Sequence, residues 1–315
     1  FIINEFCGVR NVRTIELRCK INDKFTCVQE LAQRMPAKSR RAAVCGIVMP
    51  FFVRICAAYF LHKNGLCAKI KERFLVILRN YCLFEMAYIL NIETSTEVCS
   101  VALTHDGEVL DHHENYDGKT HATLLSAYIQ DELKYVRTRE IKLDAVAVSI
   151  GPGSYTGLRI GLSEAKGLAF GLGVPLIGVN TLKLLTTSAM FKEFFDDDEL
   201  FVPMIDARRM EVYTAVYNSA LDDIVPPQPK IIDANSFADL LDKHKLVFFG
   251  NGSDKVAEVI KRPNAIFMPG VKPVALDMMV LSEMAFRKKE FIDVAYSTPL
   301  YLKEFQATKP KHKVL

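Results

Sequence analysis

Past Met86, apolar and polar positions fall into a readable order. Tyr88–Glu93 is an apolar run that leads into Thr94-Ser95-Thr96, Val98–Thr104 follows, and His105-Asp106-Gly107 turns the chain into Glu108–His113. The Asp-Gly pair between two such runs predicts a hairpin. Thr120 then stands as an N-cap before Leu124, Leu125, Tyr128, Ile129 and Leu133, which recur at helical spacing. Asp144–Ile150 (DAVAVSI) reads as a buried strand and runs into Gly151-Pro152-Gly153-Ser154-Tyr155-Thr156-Gly157. A helix is expected over about Gly157–Gly171, with Gly161, Ala165 and Ala169 along one side. Val174–Val179 is the next buried strand, and another helix starts near Thr181.

The acidic run Asp196–Glu199 reads as a linker into a second unit. There Leu200–Asp206 and Glu211–Tyr217 are strands joined through Ala207-Arg208-Arg209. Pro226, Pro227 and Pro229 predict a loop, Asn235–Lys243 a helix, Leu246–Gly250 a strand and Leu276–Phe286 a helix. Strands first in hairpins and then alternating with helices predict an α/β fold with a mixed sheet in each unit. The boundaries expected are 1–85 for a leading extension, 86–195 for the first lobe and 196–315 for the second with its basic tail. The two halves are of similar size and read as distant structural copies.

Charge and cysteine change the picture of the leading segment. Residues 1–85 hold 15 of the 40 Lys+Arg and 6 of the 37 Asp+Glu, a net of +9, which leaves −6 for the remainder. Seven of the eight cysteines, Cys7 to Cys82, lie there too, and only Cys99 follows. None forms a C-x-x-C pair, so zinc spacing is missing, and seven unpatterned thiols make a poor disulfide framework. One reading takes 1–85 as a mis-assigned start or a disordered extension. The other takes Ala42–Leu61 as a membrane anchor. Its length is nearly sufficient, but Arg54 and Pro50 interrupt it. The body, with its single cysteine, reads as cytoplasmic and without a membrane attachment.

The densest motif is GPGSYTGLR, at a strand end and opening a helix. Glycines there leave backbone amides pointing outward with a helix dipole behind them, which suits an anion. A dinucleotide fingerprint would need glycine at Thr156, and no Gly-Lys-Thr/Ser follows for a Walker loop. The competing reading is a tight strand-to-helix turn whose glycines serve only close packing.

ILNIETSTEVCSVAL, SIGPGSYTGLRIGLSEAKGLAFGLGVPLIGVNTL, PMIDARRMEVYTAVY and PLYLKEF resemble, in order and spacing, signature segments of the TsaB family. The resemblance runs from Met86 to the tail and includes nothing in 1–85. It implies an ASKHA (actin, hexokinase, Hsp70-like) fold of two related α/β lobes. It also implies pairing with TsaD and TsaE in forming N6-threonylcarbamoyladenosine at position 37 of tRNA. In that setting Glu93, Thr94 and Ser95, with Gly151, Gly153 and Ser154, are candidates for a vestigial nucleotide site. ATP or ADP is then expected only at the interface of the complex, and this subunit requires no cofactor of its own.

The related catalytic subunit, TsaD, carries a His-x-x-x-His pair after a segment resembling PLIGVN, one helical turn apart and able to hold a metal. Thr181 and Leu185 occupy those positions here, and the seven histidines include no such pair. The expectation is therefore a non-catalytic, metal-free activator of TsaD. The alternative is an ASKHA-class nucleotide-dependent enzyme or a metallopeptidase-like (glycoprotease-like) protein. Ser154 has no evident His–Asp partners. Asp206 reads as paired with a neighbouring arginine, His121 as a capping or surface group, and His112-His113 as alternating surface residues.

The resemblance places the TsaD contact, and a self-association of the same kind, on the first-lobe helices. The residues expected there are His121, Leu124, Leu125, Tyr128, Leu158, Arg159, Leu162, Ala165 and Lys166. Their competing reading is burial in the chain's own core. A body net charge of −6 argues against this subunit as the main tRNA binder, so tRNA is expected only through the complex.

Overall fold

A computed structural model describes residues 87–118, 120–196 and 198–303. The leading segment, including the anchor candidate 42–61, and the basic tail lie outside the described residues. Among the described residues no helix is long and apolar enough to cross a membrane.

The first sheet opens with an antiparallel meander of β1 (Tyr88–Glu93), β2 (Cys99–His105) and β3 (Glu108–Asn115). Asp106 and Gly107 take the positive φ values, 47° and 80°, that the tight hairpin requires. β4 (Ala145–Gly151) and β5 (Leu176–Asn180) then add in parallel, giving the order β3-β2-β1-β4-β5. β1 and β4 are covered on both sides, which is why their sequences are nearly continuous apolar runs.

Alternation along those strands sorts the two cores. Leu90, Ile92, Val146 and Val148 face α1 (His121–Thr138) and α2 (Tyr155–Leu172), packing with Leu125, Ile129, Leu162, Ala165 and Ala169. Ile89, Ala145, Ala147, Ile177 and Val179 face the other way, against Leu184 of α3 (Thr181–Lys192).

The second sheet repeats this plan. β6 (Leu200–Asp206), β7 (Glu211–Tyr217) and β8 (Asp223–Ile231) form the meander, and β9 (Leu246–Phe249) and β10 (Ala265–Met268) add in parallel. The order β10-β9-β6-β7-β8 is that of the first sheet read from the other edge. The expected pair of related lobes with mixed sheets is therefore present strand for strand.

Several elements differ from the sequence reading. The prolines 226, 227 and 229 lie inside β8 and not in a loop. β8 is an edge strand, where a missing N–H costs no ladder bond on the open side. The helix expected over 235–243 shrinks to one turn, α4 (Ala238–Leu241), after Phe237 at a φ of 62°. A further short helix, α5 (Ser253–Ala257), follows β9.

The expected lobe boundary also needs correction. Everything after 196 reads in sequence as second lobe, yet the chain returns to the first. A 3-10 turn (Ala275–Met278) and α6 (Met279–Lys288) bring Met278, Leu281, Ala285 and Phe286 onto the outer face of β1, β4 and β5. Ile292 N then donates to Leu176 O at 2.8 Å, and Leu300 N to Ile150 O at 2.6 Å. The chain crosses between lobes twice, after α3 and before the 3-10 turn. Lys192 Nζ donates to Gly270 O at 2.9 Å, which ties the outgoing crossing to the returning one.

Candidate functional site

The carboxyl ends of β1, β4, β6 and β9 open onto one cleft of about 1580 Å³. Strand carboxyl ends are where open α/β sheets take ligands. Ser95, Gly153 and Ser154 line one wall, and Asp206, Arg208 and Arg209 the other. Asn251 spans part of it, donating to Glu97 Oε2 at 3.2 Å and accepting from Asp206 N at 2.9 Å.

The GPGSYTG turn is packed tightly onto the β1–β2 connection. Ser154 N donates to Ser95 O at 2.6 Å, and Thr94 Oγ1 donates to Gly157 O at 2.8 Å. A Cβ on Gly153 would overlap Ser95 O, on Gly157 Thr94 O, and on Gly161 Thr94 Oγ1. Ser154 Oγ caps α2 by accepting from Gly157 N at 3.2 Å. The amides of Ser154 and Gly157 in this turn are thus already bonded within the protein. The close-packing role of these glycines is the one the geometry uses.

Glu93, Thr94 and Ser95 come together with this turn, as the sequence suggested, but all three are fully buried. Glu93 Oε1 accepts from both the amide and the hydroxyl of Ser95. Burial pushes the Glu93 carboxyl up to about 7, against the hydrogen bonds from the Ser95 hydroxyl and amide, which lower it.

On the opposite wall the Asp206 carboxylate pairs with the Lys255 ammonium, and the neighbouring arginine expected from sequence, Arg208, reaches it only through its backbone N–H at 3.2 Å. Lys255 Nζ also donates to the carbonyls of Arg209 and Glu211 at 2.7 Å. That lysine lies far along the chain from Asp206, so spacing gave no sign of it. Arg208 and Arg209 hold positive φ values of 71° and 50° and are exposed at the cleft.

His121 is neither a cap nor a surface group. It is buried, with Nε2 2.9 Å from Thr96 O, and so pins the start of α1 to the β1–β2 connection. Thr181 and Leu185, at the positions where the sibling subunit would carry histidines, are 0% and 1% exposed. Asn180 caps α3 by accepting from Leu182 N at 2.8 Å, and Leu185 belongs to the second-lobe core.

The residues expected at a partner surface divide into two sets. Leu125, Leu158, Leu162 and Ala165 are buried in the chain's own core, which removes them from any outer surface. Leu124 and Tyr128 are half-buried, and Lys166 Nζ bonds the carbonyls of Ala295 and Ser297. Arg159 is exposed beside Tyr155, its guanidinium 4.6 Å from that ring. The outward face of α1 and α2 carries instead Ala127, Ser163, Gly167, Gly171 and Phe170, the last 84% exposed.

One further cluster escaped sequence reasoning. His112 and His113 do alternate faces, but His113 turns under α1, where its Nε2 lies 3.8 Å from Glu132 Oε1. Asp111 is on the same side of β3, and the three groups lie within 4.8 Å of one another. Burial, then the charges of Asp111 and Asp131, push the Glu132 carboxyl up to about 8. The only sequence signal is the i, i+2 spacing of Asp111 and His113, since Glu132 arrives through strand–helix packing.

Comparison with known proteins agrees with this architecture. The family model "TsaD: tRNA N6-adenosine threonylcarbamoyltransferase" matches residues 108–304. The tRNA threonylcarbamoyladenosine biosynthesis protein TsaB of Escherichia coli is 32% identical over 230 residues, covering 70% of this chain and 96% of the relative. The protein of the same name from Bacillus subtilis is 31% identical over 226 residues, covering 70% and 95%. Among solved structures, YeaZ from Pseudomonas aeruginosa superimposes with a TM-score of 0.56 at 28% identity, covering 69% of this chain and all of that one. With two lobes of one repeated α/β plan and relatives matched over almost their whole length, the chain belongs to the TsaB family.

Proposed function

We propose that the chain is a non-catalytic subunit in tRNA N6-threonylcarbamoyladenosine formation, binding and activating a TsaD-type transferase. The observation that carries the reading is the burial of Thr181 and Leu185. The helical turn at which a TsaD-type sibling would hold a metal is here capped by Asn180 and sealed into an apolar core. A leucine offers no ligand atom, and at 1% exposure its side chain is closed off from solvent.

The surface left for a partner is the outer face of α1 and α2. Its small residues permit close helix approach, and Phe170 offers an anchor that is otherwise costly to leave in water. Any nucleotide contact of this subunit falls to the open walls of the cleft, Ser154 on one side and Arg208 and Arg209 on the other. Thr94 Oγ1 and Glu93 Oε1 are already engaged within the protein, and Glu93 is fully buried. ATP or ADP would then be held between subunits, with tRNA and a TsaE-type protein meeting the complex and not this chain alone.

The test is reconstitution. The purified chain should form no threonylcarbamoyladenosine alone and should stimulate a TsaD-type partner, with TsaE-type protein present, while co-eluting with it. Turnover by the purified chain without that partner would overturn the proposal.

A further inference from the structure

Glu132 lies on the inner side of α1, its side chain 0% exposed, and neither carboxylate oxygen has a hydrogen-bond partner. A carboxyl group in that position is costly unless something compensates it. Within this otherwise apolar contact, Asp111 and His113 of β3 lie beside it. Across the β2–β3 ladder Leu103 stands opposite Asp111 and Val101 opposite His113, so both β3 side chains share the face that α1 covers. His113 is held flat by Tyr128, their rings 5.1 Å apart and 15° from parallel.

We propose that Asp111, His113 and Glu132 bind a first-row divalent cation of the zinc class, clamping the edge strand β3 to α1. The donor set is one imidazole and two carboxylates, which suits zinc or manganese better than the all-oxygen ions. Ligand atoms around tetrahedral zinc stand about 3.4 Å apart. The observed spread, within 4.8 Å, needs only rotamer adjustment to reach that. The His113 side chain is 32% exposed, so an ion can enter from the solvent side and keep water in its remaining position. The buried Glu132 gains its missing partner, and the last-paired strand of the first sheet gains a crosslink.

This site is separate from the cleft and from the outer face of α1, so its test does not depend on any partner protein. The full chain, cleared of metal with a chelator and free of any histidine tag, would be titrated with Zn²⁺ and with Mn²⁺. The readouts are calorimetry, native mass spectrometry and thermal unfolding. Wild type should bind and melt several degrees higher. Glu132→Gln and His113→Ala should lose at least tenfold in affinity together with the thermal shift. Glu132→Gln is also expected to melt no lower than metal-free wild type, because it removes a buried carboxyl without changing shape, and so guards against a misfolded variant. Absence of binding, or binding of equal strength in wild type and both variants, would overturn the assignment.

Discussion

Thr94 and Gly157 clasp each other across the first lobe: the threonine hydroxyl donates to the glycine carbonyl at 2.8 Å, and the glycine Cα faces the threonine carbonyl with no room for a methyl group. Gly157→Ala should therefore cost about 2–3 kcal/mol, since the obstructing atom is backbone and cannot step aside. Gly167 lies on the same helix, where an added methyl group would meet nothing within 4 Å, and Gly167→Ala should gain about 0.5–1 kcal/mol. Urea unfolding of the two variants would give shifts of opposite sign.

Phe170 separates stability from assembly. At 84% exposure its replacement by alanine should leave the isolated chain within about 0.5 kcal/mol of wild type. Under the proposed function the same change weakens co-elution with a TsaD-type partner at least tenfold. Unchanged binding of that partner by Phe170→Ala would place the contact elsewhere.

Glu93 makes stability depend on pH. Its carboxyl is pushed from 4.5 up to about 7 in the folded chain, so the folded state binds more protons than the unfolded one between those values. Stability from this group is complete below 4.5 and declines as pH rises through 7, by about 3 kcal/mol at most. Unfolding curves at pH 5 and pH 8 should show wild type losing ground to Glu93→Gln at the higher pH. Parallel behaviour of the two proteins would contradict this.

Leu185 tests whether a metal site can simply be restored. Leu185→Ala should cost about 2–5 kcal/mol as a core truncation. Thr181→His with Leu185→His should destabilise the second-lobe core at least as much, and the purified double variant should show no transferase activity. Thermal unfolding and product analysis on one sample would check both.

Much of the first lobe was legible in sequence because its signals are local. The apolar runs of β1 and β4, the Asp-Gly hairpin and the glycine turn all act within a few residues. β8 was not legible, because proline argues against a strand unless one knows it sits at an edge. The return of Met278 to Phe286 to the first sheet has a helical signature but no local sign of which lobe receives it. Among site residues, the meeting of Glu93, Thr94 and Ser95 with the GPGSYTG turn was readable from motifs. Lys255 beside Asp206 and Glu132 beside His113 were not, since each pair forms only when distant elements pack. The partner-surface reading failed for Leu125, Leu158 and Leu162 for a related reason. Helical spacing tells which residues share a face, but not whether that face looks inward.

The bond from Lys192 to Gly270 has a mechanical consequence. Both connections between the lobes pass the same point, and Leu182, Leu185 and Ala189 of α3 pack into the second-lobe core with Phe201 and Phe249, so the junction is a packed double crossing and not a single tether. Asn251, bonded to Glu97, and Lys303, paired with Glu211, join the two walls of the cleft as well, so widening the gap between Ser154 and Arg208 would mean breaking side-chain bonds.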